Sequence, residues 1–320
     1  MLTLNLVNYD YSDIGYVISK YPDGQQSITL GGYEIKDIDG TVEVLPCDDN
    51  MSNQKVIIKS RLNTFQHLEL IICATKALRN LGVEHIELYT PYLIGARSDR
   101  KFDVGGVNYL KDVISPIINS MGYKKVHIHT PHSDVTEACI NNIVKIDNDD
   151  FVRTVVTQYI CKNHNIKFDD IRLLSPDAGA LKRVFADAEY MNYTNEIIIA
   201  AKHRNPKTGQ ITHTSVPLRV NDVDKHIVII DDICDGGRTF IEIVKAIHEL
   251  RGLSSTVRPD NYGKIFLIVT HGIFSVGLTE LNKYFDGIYC TDSYSSMNDP
   301  ESSLENDNQL HKLTQTSLFL

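Results

Sequence analysis

The chain has no excess of basic charge, no close pair of cysteines and no apolar run of membrane length. Against 41 Asp and Glu stand 32 Lys and Arg, a formal net charge of −9 over 320 residues. Phosphate backbones select basic faces, so nucleic acid is not expected as the main partner. The six cysteines, at 47, 73, 139, 161, 234 and 290, include no Cys-x-x-Cys. They are expected to be reduced thiols of a cytoplasmic protein. The longest apolar runs, "IVII" and "IFLIV", are strand-sized, so no membrane partner is expected. The opening residues "MLTLNLVNYDYSD" have neither a basic start nor a long apolar core, and no signal peptide is expected there.

What is present reads as a globular α/β chain. Hydrophobic residues make up 42% and charged residues 23%, the balance of a folded domain. β-rich runs appear at "KVIIKS" (55–60), "HIELYT" (85–90), "KVHIHT" (125–130), "IRLLS" (171–175), "EIIIAAK" (196–202), "HIVII" (226–230), "KIFLIVT" (264–270) and "GIYCT" (287–291). Between many of them lie amphipathic segments, at 64–82, 107–121, 179–191, 239–251 and 276–285. Apolar strands separated by helices predict mainly parallel sheets flanked by helices. The first 50 residues instead predict short antiparallel hairpins, with turn signals "PDGQ" and "IDGT". The segment 143–170 reads as polar with one long helix, which puts a boundary near residue 147. The expected domains are 1–146 and 147–293. A polar, flexible tail, 294–320, is free to pack back on the first domain.

The stretch "HIVIIDDICDGGRTF" concentrates the chemistry. A branched apolar run ends in Asp231 and Asp232, then come Asp235, Gly236, Gly237 and a predicted helix from Arg238. Ligands of open α/β sheets bind at the carboxyl ends of strands. A helix start after two glycines presents backbone N–H groups and the positive end of the helix dipole, which suits an anion. Carboxylates for hydroxyl groups beside a cradle for phosphate have the polarity of a sugar phosphate. A helix cap needs one acid, and this segment has three. No Gly-Lys-Ser/Thr follows, which argues against a nucleotide P-loop.

This segment, Asp231 to Thr239, resembles the phosphoribosyl-pyrophosphate (PRPP) motif of type I phosphoribosyltransferases and ribose-phosphate pyrophosphokinases, with Arg238 where glycine is usual. Further segments resemble the pyrophosphokinases in particular. "TPYLIGARSDRK" (90–101) is similar to their ATP-binding segment, with Arg97 matching and Ser98 in place of Gln. "SKYPDGQQSI" (19–28) is similar to their adenine loop through Asp23 and Gly24, with Tyr21 as the aromatic and Gln25 where Glu is common. "HIHTPHSD" (127–134) aligns His132 with a Mg-ATP histidine and puts Thr130 where the family has Asp. His127 and His129 alternate onto one face and read as structural. "LLSPDAGALKRV" (173–184) closely resembles the segment whose acid, here Asp177, reaches magnesium. "IIIAAKHRNPKTGQ" (197–210) resembles the strand and catalytic loop that carry Lys-x-Arg, here Lys202 and Arg204, and "THGIFS" is near-identical to a strand–helix step of the family.

The resemblance implies two phosphoribosyltransferase-like domains and a reaction between ATP and ribose 5-phosphate that yields PRPP and AMP, with Mg²⁺ as cofactor. It implies Lys202 and Arg204 as catalytic residues. Tyr21, Asp23, Gly24, Gln25, Arg97 and Ser98 would bind ATP, and His132 and Asp177 the metal. Arg204, Asp231, Asp232, Asp235, Gly236, Gly237, Arg238 and Thr239 would hold ribose 5-phosphate. The polar segment 202–210 is expected to be mobile without substrate. The family's dimers and hexamers imply a homo-oligomer. A non-catalytic regulatory relative and a phosphoribosyltransferase stay open as alternatives.

Overall fold

A computed structural model describes residues 1–31, 34–36, 42–44, 51–101, 103–204, 211–252, 262–297 and 312–320. The chain divides into two compact units. One comprises Met1–Ile146 with Ser317–Leu320, the other Asp147–Thr316.

The N-terminal unit is built on five parallel strands, β1 (Leu2–Asn5), β6 (Lys55–Lys59), β7 (His85–Tyr89), β8 (Val126–His129) and β9 (Ile143–Ile146), which lie in that order. Between β1 and β6 come two antiparallel hairpins, β2 (Tyr16–Lys20) with β3 (Gln26–Leu30) and β4 (Glu34–Lys36) with β5 (Val42–Val44). Since strand order follows chain order, right-handed crossovers carry the connecting helices to one face. These are α1 (Phe65–Asn80), α2 (Ser115–Ser120) and α3 (Asp134–Cys139). α1 starts at Thr64, whose side chain accepts from the His67 N–H, and presents Leu68, Ile71, Ala74 and Leu78 to the core. Val56, Ile58, Ile86, Leu88, Val126 and Ile128 meet them from alternate strand positions.

The intervening positions face the other way and carry Glu87, Tyr89, His127 and His129. Glu87 accepts from His127 Nε2 at 2.7 Å and His85 Nε2 at 3.1 Å. Burial pushes its carboxyl up, but the two histidine hydrogen bonds outweigh that and leave it below its ordinary value. The Tyr89 hydroxyl pairs with His129 Nε2 at 2.9 Å. The structural reading of these histidines fits their partners. The last residues of the chain also belong to this unit. Phe319, 1% exposed, packs edge-on against Tyr89 and under Arg61, and its carbonyl accepts from Asn5 Nδ2 at 2.8 Å.

The C-terminal unit begins with α4 (Asp149–Thr154), which widens into a π-helical stretch, Val155–Lys162. Its sheet runs β11 (Ile198–Ile199), β10 (Ile171–Ser175), β14 (His226–Cys234), β15 (Ile265–Gly272), β16 (Gly287–Thr291), β17 (Leu313–Thr316), all parallel. A separate hairpin pairs β12 (Ala201–Arg204) with β13 (Ile211–Ser215). Successive residues of β14 and β15 point into two cores. Ile227, Ile229, Leu267 and Val269 pack under Ile243, Val244 and Ile247 of α6 (Arg238–Leu250). Val228, Ile230, Phe266 and Ile268 pack with Val155, Val156 and, from α5 (Leu181–Tyr190), Val184 and Ala188. With a core on each face, these strands read as unbroken apolar runs.

Several expectations need correction. β14 does not end at Ile230 but continues to Cys234, because Ile233 and Cys234 still pair with His271 and Gly272 of β15. Residues 196–202 form pieces of two sheets rather than one strand. The segment 276–285 yields only a single helical turn, α7 (Leu281–Tyr284), since Gly277 takes φ +73°, which no helix accommodates. The first 50 residues are not all hairpins, as Leu2–Asn5 is a parallel strand of the main sheet. Residues 143–146 are a strand rather than polar connection. The tail is not polar throughout. Leu313–Thr316 forms β17 and Phe319 is buried, while 298–311 lie outside the described residues.

Phe319→Ala should destabilise the N-terminal unit by about 3–5 kcal/mol, the usual cost of emptying a buried phenylalanine site. Urea unfolding followed by tyrosine fluorescence measures it. A loss under about 1 kcal/mol would mean that the C-terminal residues do not hold this unit.

Candidate functional site

Within the C-terminal unit the acidic loop grows out of the central strand. Asp231 and Asp232 stand near the carboxyl end of β14, and Asp232 is only 3% exposed. The Asp232 N–H donates to Asp231 Oδ1 at 2.9 Å. From α5, Arg183 Nη1 donates to Asp231 Oδ1 at 3.4 Å and Asp232 Oδ1 at 3.3 Å. Burial, and next the charge of Asp232, push the Asp231 carboxyl well above its ordinary range, while the Arg183 guanidinium pulls it down.

Past Cys234 the chain leaves the sheet. Asp235 Oδ1 accepts from Ser275 Oγ at 2.5 Å, which ties the loop to the segment after β15. Gly237 takes φ +73°, and a Cβ there would lie 2.7 Å from Leu281 Cδ2. Glycine is therefore required both for its backbone conformation and for the close approach of α7. Gly237 also caps α6 and supplies no side-chain acceptor to it. The first N–H groups of a helix have no partner within it, and the dipole's positive end lies there. Arg238 is exposed and Thr239 half-buried beside these groups. The loop thus sets acceptors for hydroxyl groups next to donors for an anion.

The other proposed residues of this unit are placed as follows. Asp177 lies in the turn between β10 and α5, where its Oδ1 accepts from the N–H groups of Gly179 at 3.0 Å and Ala180 at 3.1 Å. It therefore stabilises the start of α5 whatever else it does. Lys202 and Arg204 sit on β12, opposite Thr214 and Ile211. Their side chains, and the loop 205–210 expected to be mobile, lie outside the described residues.

In the N-terminal unit, Tyr21, Asp23, Gly24 and Gln25 form the exposed turn of the β2–β3 hairpin. Asp23 Oδ1 accepts from the Gln25 N–H at 3.1 Å, and Gly24 takes φ +91°. The hairpin is anchored on α1, where Glu69 Oε1 accepts from the Gln26 N–H. Arg97 is exposed in the turn after β7, and the Ser98 N–H donates to the Gly95 carbonyl at 2.8 Å. His132 is exposed two residues after Thr130, which is buried at φ +40° with its N–H on the Ile146 carbonyl. Strand ends β7 and β8 thus carry Arg97 and His132 where α/β sheets bind ligands.

Among the described residues no group of three or more His, Cys, Asp or Glu is arranged to hold a metal ion. Magnesium keeps water and phosphate oxygens as most of its ligands and needs only one or two carboxylates. The carboxylate oxygens of Asp177 suit a hydrated divalent ion rather than a closed protein cage.

Reasoning from sequence missed Arg183, Asp187 and Ser275. Arg183 and Asp187 are four residues apart on α5, so both point along one helix face. Asp187 has no exposure, and neither carboxyl oxygen has a hydrogen-bond partner among the described residues. Burial, then neighbouring Asp149, push its carboxyl up to about 8.

No family model matches the chain. Among curated relatives, the ribose-phosphate pyrophosphokinase of Saccharolobus solfataricus is 28% identical over 193 residues, 60% of this chain and 62% of that one. The chain thus spans just under two thirds of that relative. The ribose-phosphate pyrophosphokinase of Haemophilus ducreyi is 25% identical over 285 residues, 88% of this chain and 83% of that one. The crystal structure of phosphoribosylpyrophosphate synthetase from Mycobacterium smegmatis superposes with a TM-score of 0.69 at 15% identity, covering 97% of this chain and 88% of that one. That last likeness is one of fold.

Two measurements follow from this geometry. Crystals grown with sulfate should show an anion against the N–H groups of Gly236 to Thr239, and the same loop closed over its own N–H groups would count against a cradle. The second concerns Asp187. Unfolded, it ionises at the ordinary carboxylate value; folded, it keeps its proton to about 8. The stability tied to this group is complete below the ordinary value and falls as pH rises toward 8. Asn lacks this dependence. Asp187→Asn should therefore gain on the parent between about pH 5 and pH 8, by up to about 1.4 kcal/mol per pH unit. Urea melts across that range read it, and a pH-independent difference would contradict the buried neutral acid.

Proposed function

We propose that this member of the ribose-phosphate pyrophosphokinase family is an enzyme that transfers the diphosphoryl group of Mg-ATP to the anomeric hydroxyl of ribose 5-phosphate. The observation that carries the reading is the loop after β14, where paired carboxylates precede a glycine-capped helix start. Ribose hydroxyls fit the Asp231 and Asp232 carboxylates, and the 5-phosphate fits the Asp235–Thr239 segment. In the N-terminal unit, Arg97 suits the triphosphate, since a guanidinium binds phosphate with two parallel N–H groups. Ser98 and the hairpin turn Tyr21–Gln25 would take the rest of the nucleotide, and His132 and Asp177 its magnesium. Assembly as a homo-oligomer belongs to the same proposal. No helix among the described residues is long and apolar enough to cross a membrane.

In the reaction the anomeric oxygen bonds to the β-phosphorus of ATP. The bond from that phosphorus to the α,β-bridging oxygen breaks, AMP leaves with the bridging oxygen, and the hydroxyl proton is lost. Positioning and neutralisation of charge supply most of the catalysis in such transfers. Lys202 and Arg204 are assigned to the charge that develops on the transferred group.

An assay of AMP formation from Mg-ATP and ribose 5-phosphate tests this. Absence of turnover would favour the non-catalytic relative, a reading that Gln25, Ser98 and Thr130 invite by departing from the family pattern. Formation of a nucleotide from PRPP and a free base without ATP would favour the transferase. Lys202→Ala should lower kcat by about 10²–10⁴, the range for removing a charge-stabilising group, with a smaller change in KM for ribose 5-phosphate. A variant that keeps most of its activity would remove Lys202 from the mechanism.

A further inference from the structure

Arg183 lies outside the motifs assigned to the ribose and its phosphate, yet it is bonded to their acids. Its side chain is 19% exposed, and a single nitrogen, Nη1, reaches Oδ1 of both Asp231 and Asp232, whose side chains are 17% and 5% exposed. Two carboxylates so close and so dry repel each other, and burial with that repulsion pushes the Asp231 carboxyl up against the pull of the Arg183 guanidinium. The strand neighbours of the pair, Ile230, Ile233 and Cys234, supply no positive charge. The guanidinium therefore has to come from another element, and α5 delivers it.

A third acid competes for that guanidinium. Asp187 stands one turn along α5 from Arg183, fully buried. Were it ionised, it would draw the guanidinium away from β14. Burial and the neighbouring Asp149 keep it protonated near neutral pH, so the charge of Arg183 remains committed to the Asp231–Asp232 pair. Thus one arginine serves two acids, and the acid on its own helix is silenced.

We infer that Arg183 is the positioning residue of the ribose end of the site: it fixes the orientation and charge of the Asp231–Asp232 pair without touching substrate, and it thereby sets the affinity for a vicinal diol on a sugar phosphate. This rests on the reading of the chain as a ribose 5-phosphate enzyme. Its signature is selective. Loss of Arg183 weakens the sugar-phosphate side and leaves the nucleotide side alone. A merely structural arginine would lower activity toward both substrates alike, or only the stability.

Steady-state kinetics with both substrates varied, on the full chain, make the test. Arg183→Gln should raise KM for ribose 5-phosphate on the order of 10- to 100-fold, as expected when one partner of a buried charge pair is removed, with KM for ATP within about twofold. Arg183→Lys keeps the charge but loses the planar reach, and should fall between Gln and parent. If Arg183→Gln does not fold, Arg183→Lys carries the test alone, through the same selective rise. An unchanged KM for ribose 5-phosphate, an equal rise for both substrates, or no recovery with Lys overturns the inference while the functional reading stands. A parent protein that forms no AMP under the same conditions sinks that reading, and this inference with it.

Discussion

Two adjacent carboxylates at the end of a buried central strand are the constraint on which the C-terminal unit depends. Removing ionised groups from water costs several kcal/mol each unless partners offset it. On β14, Asp231 and Asp232 both meet the guanidinium of Arg183, which α5 brings to them. That places α5 as well as α6 around the acids. It also explains why Asp187, on the same helix as the arginine, has to be neutral to be tolerated so deep. The packing of the helix and the electrostatics of the loop are one problem with one solution.

The same logic runs on into the loop. Asp235 is held by Ser275 from the segment after β15, and Gly237 lets the chain turn into α6 against Leu281. Acid loop, glycine turn and helix start are fixed from three sides, so an anion would meet N–H groups that are already placed. Preorganised donors cost little reorganisation when charge arrives. The N-terminal unit is arranged differently. Its nucleotide candidates, the hairpin turn at Tyr21–Gln25, Arg97 and His132, are exposed side chains on turns that follow strands. The face of the sheet turned away from α1 carries the ladder of Glu87, His127, Tyr89 and His129, closed by Phe319 from the end of the chain.

Much of this was legible in the residues. Periodicity located the central strands of both sheets, α1, α5 and α6 within a few positions, because burial on one or both faces writes a strong pattern. The acidic loop was legible because three acids ahead of two glycines and a helix exceed what a helix cap needs. Short edge elements were not. β1, β9 and β17 are four residues each, with polar residues among them, too brief for any period to show. The end of β14 was misread since acids look like a strand stop, whereas pairing with β15 continues through them.

Sequence alone determined the α/β alternation and the acid–glycine loop that sets acceptors beside N–H donors, because these depend on local order along the chain. Tertiary structure alone decided which side chains share charge. Arg183 is 48 residues from Asp231, and Phe319 meets Asn5 across 314 residues. No spacing rule connects such positions. Their partnership follows from the crossover of α5 onto β14 and from the return of the chain's end to β1, and the low dielectric between those elements turns proximity into a requirement.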